Sequence, residues 1–122
     1  MATILVIDDD TTARTVIVEM LTENGHQTVE ACDGAEGLEL FNESKFDIVI
    51  TDIIMPNVEG IETIIKLKKS HPAVNIIAVS GGGRISAVNH LSLAEKFDVN
   101  KTLAKPFRKD DLLKAVDEIL GS

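Results

Sequence analysis

Ile4-Leu5-Val6-Ile7-Asp8-Asp9-Asp10 and Asp47-Ile48-Val49-Ile50-Thr51-Asp52 are built alike: an apolar run, then acid. An unbroken apolar run, with no alternation, marks a strand buried on both faces. Such strands belong to parallel sheets covered by helices. Asn75 to Val79 is a third run of the same kind. Thr28 to Cys32, with Val29 and Ala31 on one face, and Lys101 to Ala104 are shorter and mixed. Helical signals fill the intervals. The first helix runs from about Thr12 to Asn24, capped by Asp10 or Thr11 and stopped by Gly25. Gly34 to Ser44 is helical with Leu38 and Phe41 inward, and a third helix follows Pro56 and Gly60 to about Ser70. A fourth leads from the turn Gly81 to Gly83 to near Lys96, and Asp110 or Asp111 opens a fifth that ends at Gly121.

Five strands alternating with five helices predict an α/β fold. Strands one, three and four belong in the interior; the mixed strands two and five belong at the edges. Right-handed crossovers then give a doubly wound five-stranded parallel sheet of order 2-1-3-4-5. Its switch point falls between strands one and three, where ligands of such sheets bind.

A chain of 122 residues buries a core without metals or disulfides, and residues 1–122 read as one domain. With 44% apolar residues and only four Phe, that core consists of Ile, Leu, Val and Ala. The formal net charge of −8 disfavours nucleic acid and anionic membranes as partners and suits cations or basic partners. One cysteine, Cys32, permits no internal disulfide. The first residues lack the basic and apolar regions of a signal peptide, and no run is long enough to span a membrane. A cytoplasmic protein is expected.

The switch point is acidic. Asp8, Asp9 and Asp10 follow strand one, and Asp52 ends the run of strand three. Two carboxylates about 4 Å apart repel by roughly 4 kcal/mol at an effective dielectric near 20. A hard divalent cation offsets this, and Mg²⁺ is held by one or two carboxylates together with water and phosphate oxygens. Ser80 ends strand four and Lys105 follows strand five on the same rim. A hydroxyl and an ammonium beside a cation site suit a phosphoryl group. Asp52, alone on its strand, is the better nucleophile, leaving the paired Asp8 and Asp9 for the metal.

With these residues in place, the chain resembles a response-regulator receiver from Ile4 to about Leu120. The resemblance rests on Ile7-Asp8-Asp9, Asp52-x-x-Met55-Pro56-x-x-x-Gly60, Ser80 after an apolar strand, and Lys105-Pro106-Phe107. It implies a flavodoxin-like fold with Asp52 as phosphoacceptor. Asp8, Asp9, Asp52 and the backbone carbonyl of Ile54 would bind Mg²⁺, Ser80 would move toward the phosphoryl group, and Lys105 would bind it ahead of a cis bond to Pro106. A histidine kinase or histidine phosphotransfer protein would be the donor. Such a protein catalyses only its own phosphorylation and dephosphorylation. No effector domain is expected after Ser122, so output would pass to a downstream protein or along a phosphorelay, from a monomer or weak dimer. The first helix, with Val16, Ile17 and Met20, would meet the donor.

The chain departs from the family pattern in two ways. Thr102 stands where an aromatic switch residue is common, so a ring cannot swing behind Ser80. Ile54 and Gly82, two residues after Asp52 and Ser80, offer no side chain to orient an attacking water. A phosphoryl lifetime set by exposure alone is therefore expected.

Taken singly, these residues have plainer readings. Asp10 reads as a helix cap, Lys66, Lys68 and Lys69 as a solvated helix face, and His26, His71 and His90 as surface residues. Met55 and Cys32 read as packing residues, and Gly81 to Gly83 as a turn. The rival function is a haloacid-dehalogenase-like phosphatase on Asp8-x-Asp10-x-Thr12, with Asp8 as nucleophile and Asp10 as general acid. A pseudo-receiver that binds partners without phosphorylation is the third reading, supported by Thr102 alone.

Overall fold

The computed structural model describes residues 2–53, 59–80 and 96–121. Strands β1 (Thr3–Ile7), β2 (Gln27–Ala31), β3 (Ile48–Asp52), β4 (Ile76–Ser80) and β5 (Lys101–Ala104) form one sheet in the order β2-β1-β3-β4-β5. Every pairing is parallel. Among the described residues four helices accompany it: α1 (Thr11–Thr22), α2 (Gly34–Glu43), α3 (Glu59–Ser70) and α4 (Lys109–Leu120). The helix expected between Gly83 and Lys96 lies outside the described residues except at its end, where Lys96 and Phe97 are helical.

Period-two alternation sorts the strand side chains onto two faces. Ile4, Val6, Ile48, Ile50, Ile77 and Val79 pack with Ile17 and Leu21 of α1 and Leu112, Ala115 and Val116 of α4. Leu5, Ile7, Val49, Ile76 and Ala78 pack with Ile64 and Leu67 of α3, and Leu38 and Phe41 of α2 lie against them. The sheet is thus covered on both faces. β3 is buried throughout, while β2 and β5 are partly exposed, as their mixed sequences require at an edge.

Local signals set the ends. The Asp10 carboxylate caps α1, accepting from the amides of Thr12 and Ala13 at 2.9 and 3.3 Å. Gly25 turns the chain back at φ 86°, a conformation that favours glycine. Asp33 caps α2 through the Glu36 amide at 2.8 Å, and the Glu36 carboxylate accepts from the Cys32 amide at 2.7 Å.

Two expectations need correction. The last helix opens at Lys109, not at Asp110 or Asp111, because the Asp111 carboxylate reaches back to the Arg108 amide at 3.1 Å and makes Arg108 the cap. Cys32 is exposed rather than packed, since β2 ends one residue earlier, at Ala31. A hydrogen bond to Glu36 and that carboxylate's charge push its thiol pKa up.

Candidate functional site

The sheet delivers its acids to one rim. Asp8 follows β1 directly, and its amide continues the ladder by donating to the Ala31 carbonyl at 3.1 Å. Asp52 ends β3, opposite Val79 of β4. Both are buried, at 1% and 5% exposure, although both are acids. Asp9 is exposed beside them. Each of the three offers a carboxylate oxygen within 4.8 Å of the others.

Lys105, immediately after β5, crosses to this cluster. Its Nζ donates to Asp52 Oδ2 at 2.8 Å and to Asp8 Oδ2 at 3.0 Å. Burial pulls the ammonium's pKa down, but the hydrogen bonds to Asp52 and Asp8 and their negative charges outweigh it. The net pKa lies above the ordinary lysine value, so Lys105 is a fixed cation. Three carboxylates against one ammonium leave two negative charges, the deficit that one divalent cation cancels. The donors are all hard oxygens, the set that suits Mg²⁺. This acidic pocket therefore fits a metal ion.

The other expected site residues are placed less fully. Ser80 is the last residue of β4, paired in register with Ala104, the neighbour of Lys105. Its side chain, Met55, and the Ile54 carbonyl lie outside the described residues, as do Gly82 and His90. Thr102 is half-buried in β5, opposite Ala78. The bond from Lys105 to Pro106 is cis, as expected. Asp10 is occupied with its cap and does not join the cluster.

Arg14 received no role from the sequence. It sits in α1, where a lone arginine reads as a surface residue. Its Nη1 donates to the Asp8 carbonyl at 2.6 Å and its Nε to Glu30 Oε1 at 3.0 Å. Beside Lys105, a groove of about 330 Å³ opens between α1 and the segment after β5, lined by Ala13, Val16, Ile17, Met20, Pro106 and Phe107.

A five-stranded 2-1-3-4-5 sheet with acids beyond β1 and β3 and a lysine beyond β5 defines a receiver-type module. The sequence model of the response regulator receiver domain matches residues 4–117, and the chain belongs to that family, the receivers of two-component signalling. Chemotaxis protein CheY of Bacillus subtilis (strain 168) is 34% identical over 119 residues, covering 97% of each chain. Sensor kinase CckA of Brucella abortus (strain 2308) is 34% identical over 121 residues, which are 98% of this chain and 12% of that protein. The chain spans 12% to 26% of the length of such longer relatives. Among solved structures, a response regulator receiver domain protein from Clostridium thermocellum superimposes with a TM-score of 0.88 at 32% identity, covering 99% of this chain and 95% of that one.

Proposed function

We propose that this receiver accepts a phosphoryl group on Asp52 from a phosphohistidine of a sensor kinase or phosphotransfer protein, with Mg²⁺ held by Asp8, Asp9 and Asp52. The observation that carries the reading is the bridge of Lys105 across two buried carboxylates with a third carboxylate alongside. Bound there, Mg²⁺ would neutralise charge on the phosphoryl oxygens. An Asp52 carboxylate oxygen attacks phosphorus in line, forming the acyl phosphate as the phosphorus–nitrogen bond breaks and the imidazole leaves with the electron pair. Lys105, already within hydrogen-bonding distance of Asp52, donates to the incoming phosphoryl oxygens. Ser80, at the end of the neighbouring strand, is the hydroxyl that responds. The protein turns over no external product.

The groove beside Lys105 suits the donor's approach. It is apolar, and Val16 on its wall is 43% exposed. A donor helix seated there would bring its histidine next to the lysine.

The phosphatase reading loses support from the same geometry. Asp10, its general acid, is bound to two amides at the start of α1. A phosphatase of that kind also needs a later acidic motif, for which the pair Asp110-Asp111 is the candidate, and Asp111 accepts from the Arg108 amide at the start of α4.

Intact mass after incubation with acetyl phosphate and Mg²⁺ tests the proposal. One phosphoryl adduct that needs Mg²⁺ and is lost in Asp52→Asn is expected. An adduct that persists in Asp52→Asn moves the nucleophile elsewhere and refutes the assignment. Absence of any adduct, with acetyl phosphate and with a phosphohistidine donor alike, favours the pseudo-receiver.

A further inference from the structure

Among the ion-paired cations outside the acidic pocket, Arg14 and Lys68 are the two that are mostly buried and also donate to a backbone carbonyl, and only Arg14 does so at the rim of the pocket. Its side chain is 14% exposed, whereas Lys109 and Lys101, paired with Glu23 and Glu118, are 44% and 37% exposed. Its shortest polar contact is not an ion pair. Nη1 donates to a backbone oxygen, the Asp8 carbonyl, at 2.6 Å. That carbonyl belongs to the peptide unit joining Asp8 to Asp9, so holding it sets how both residues leave β1. Asp8 has other anchors: its amide is on the Ala31 carbonyl, Oδ1 accepts from the Asp10 amide at 2.9 Å, and Oδ2 meets Lys105. Asp9 is exposed, so its aim depends chiefly on the peptide that Arg14 holds.

Glu30, on edge strand β2, explains why Arg14 stays on the carbonyl. An arginine this near an acidic cluster has the carboxylates themselves as competing acceptors. The bond from Nε to Glu30 Oε1 at 3.0 Å turns the guanidinium away, and the planar fork leaves Nη1 aimed at the Asp8 oxygen. The pair therefore places a cation at the site's edge without filling the site.

We propose that Arg14, braced by Glu30, is a positioning residue that fixes the Asp8–Asp9 peptide so that both carboxylates converge on the cation. The inference rests on the pocket being a cation site. Partners of this kind, one contact removed from a metal, change its affinity by about 10- to 100-fold when lost.

The sign of the effect separates positioning from charge. Removing a positive charge beside a cation site tightens binding by simple electrostatics, whereas removing a brace weakens it. The test is Mg²⁺ titration of the whole chain followed by amide NMR, comparing the native protein with Arg14→Ala, Arg14→Lys and Glu30→Ala. Affinity is measured well below each melting temperature, so lost stability alone does not move it. Arg14→Ala is expected to bind Mg²⁺ about 10-fold or more weakly. Arg14→Lys, which keeps the charge and loses the fork, is expected to be weakened as well, and Glu30→Ala by less. If Arg14→Ala does not fold, Arg14→Lys decides, because it keeps the charge and loses only the fork. Variants that bind as tightly as the native protein, or more tightly, overturn the role of Arg14 and leave the site intact. A native protein that binds no Mg²⁺ overturns the site itself, and the inference with it.

Discussion

Replacing Lys105 by Met keeps most of the side chain's bulk and removes the ammonium that bridges Asp8 and Asp52. Both carboxylates stay buried, at 1% and 5% side-chain exposure. With ligand oxygens within 4.8 Å of each other, their repulsion is at least about 3.5 kcal/mol at an effective dielectric near 20. Losing one partner of a buried ion pair costs roughly 3–5 kcal/mol. Lys105 is 22% exposed, so water screens part of its interaction and the lower figure is discounted further. A loss of about 2 kcal/mol remains, which is a fall of about 8 °C in Tm for a chain of this size. The protein has no Trp and no Tyr, so unfolding is best followed by far-ultraviolet circular dichroism. The second expectation concerns Mg²⁺. The ammonium occupies carboxylate oxygens that the metal would use, so Lys105→Met should gain more in Tm from saturating Mg²⁺ than the native protein does. A variant as stable as the native protein in chelator, or one that gains less from Mg²⁺, would refute this account of the charge balance.

Other outcomes follow from the same structure. Mg²⁺ should raise the native Tm with concentration, because it binds the assembled pocket and not the unfolded chain, and Asp52→Asn should lose most of that response; melting curves in a Mg²⁺ series check both. The raised pKa of Lys105 means its stabilising pairing is complete below the unfolded lysine value and is lost only as pH rises through the higher folded value. The stability difference between native protein and Lys105→Met should therefore stay level from neutral pH until alkaline conditions, as urea titrations across pH would register. Gly37→Ala should destabilise by about 1–3 kcal/mol in the same titrations, since the new Cβ would overlap Ile7 Cδ1 and lie 2.8 Å from Cγ1 inside the core. Asp10→Ala should cost about 1 kcal/mol through the lost cap. It should leave acetyl phosphate labelling of Asp52 in place, an outcome the phosphatase reading does not allow for its general acid.

The interior of this fold was easier to read than its edges, and the reason is physical. Buried parallel strands carry their signal in every residue, so Ile4–Ile7 and Ile48–Ile50 identify themselves without their neighbours. An edge strand is only half constrained. β2 runs Gln27–Ala31, one residue earlier than its polar and apolar residues suggest, and that shift moved Cys32 from an expected core position to the surface. Helix starts depend on which side chain reaches which amide. Asp10 announced its cap, but Asp111 acts backward on Arg108, and spacing alone did not distinguish a first-turn acid from a cap.

The site divides along the same line. Asp8, Asp9, Asp52 and Lys105 were legible because strand ends are fixed by topology: once the order β2-β1-β3-β4-β5 is known, whatever follows β1, β3 and β5 must share a rim. Arg14 was not legible, because its contact is with a backbone oxygen, and a carbonyl leaves no mark in a sequence. Glu30 was equally hidden, 16 residues away on an exposed edge. The residues that carry charge to the pocket thus follow from strand order alone. The residues that aim those charges depend on one helix lying close enough to touch the end of β1, and the packing of Ile17 and Leu21 in the core, with Val18 and Met20 against it, sets that distance. Substitutions in the core beneath α1 should then reach the pocket through Arg14 before they reach it through Lys105, which is held from the opposite side by β5.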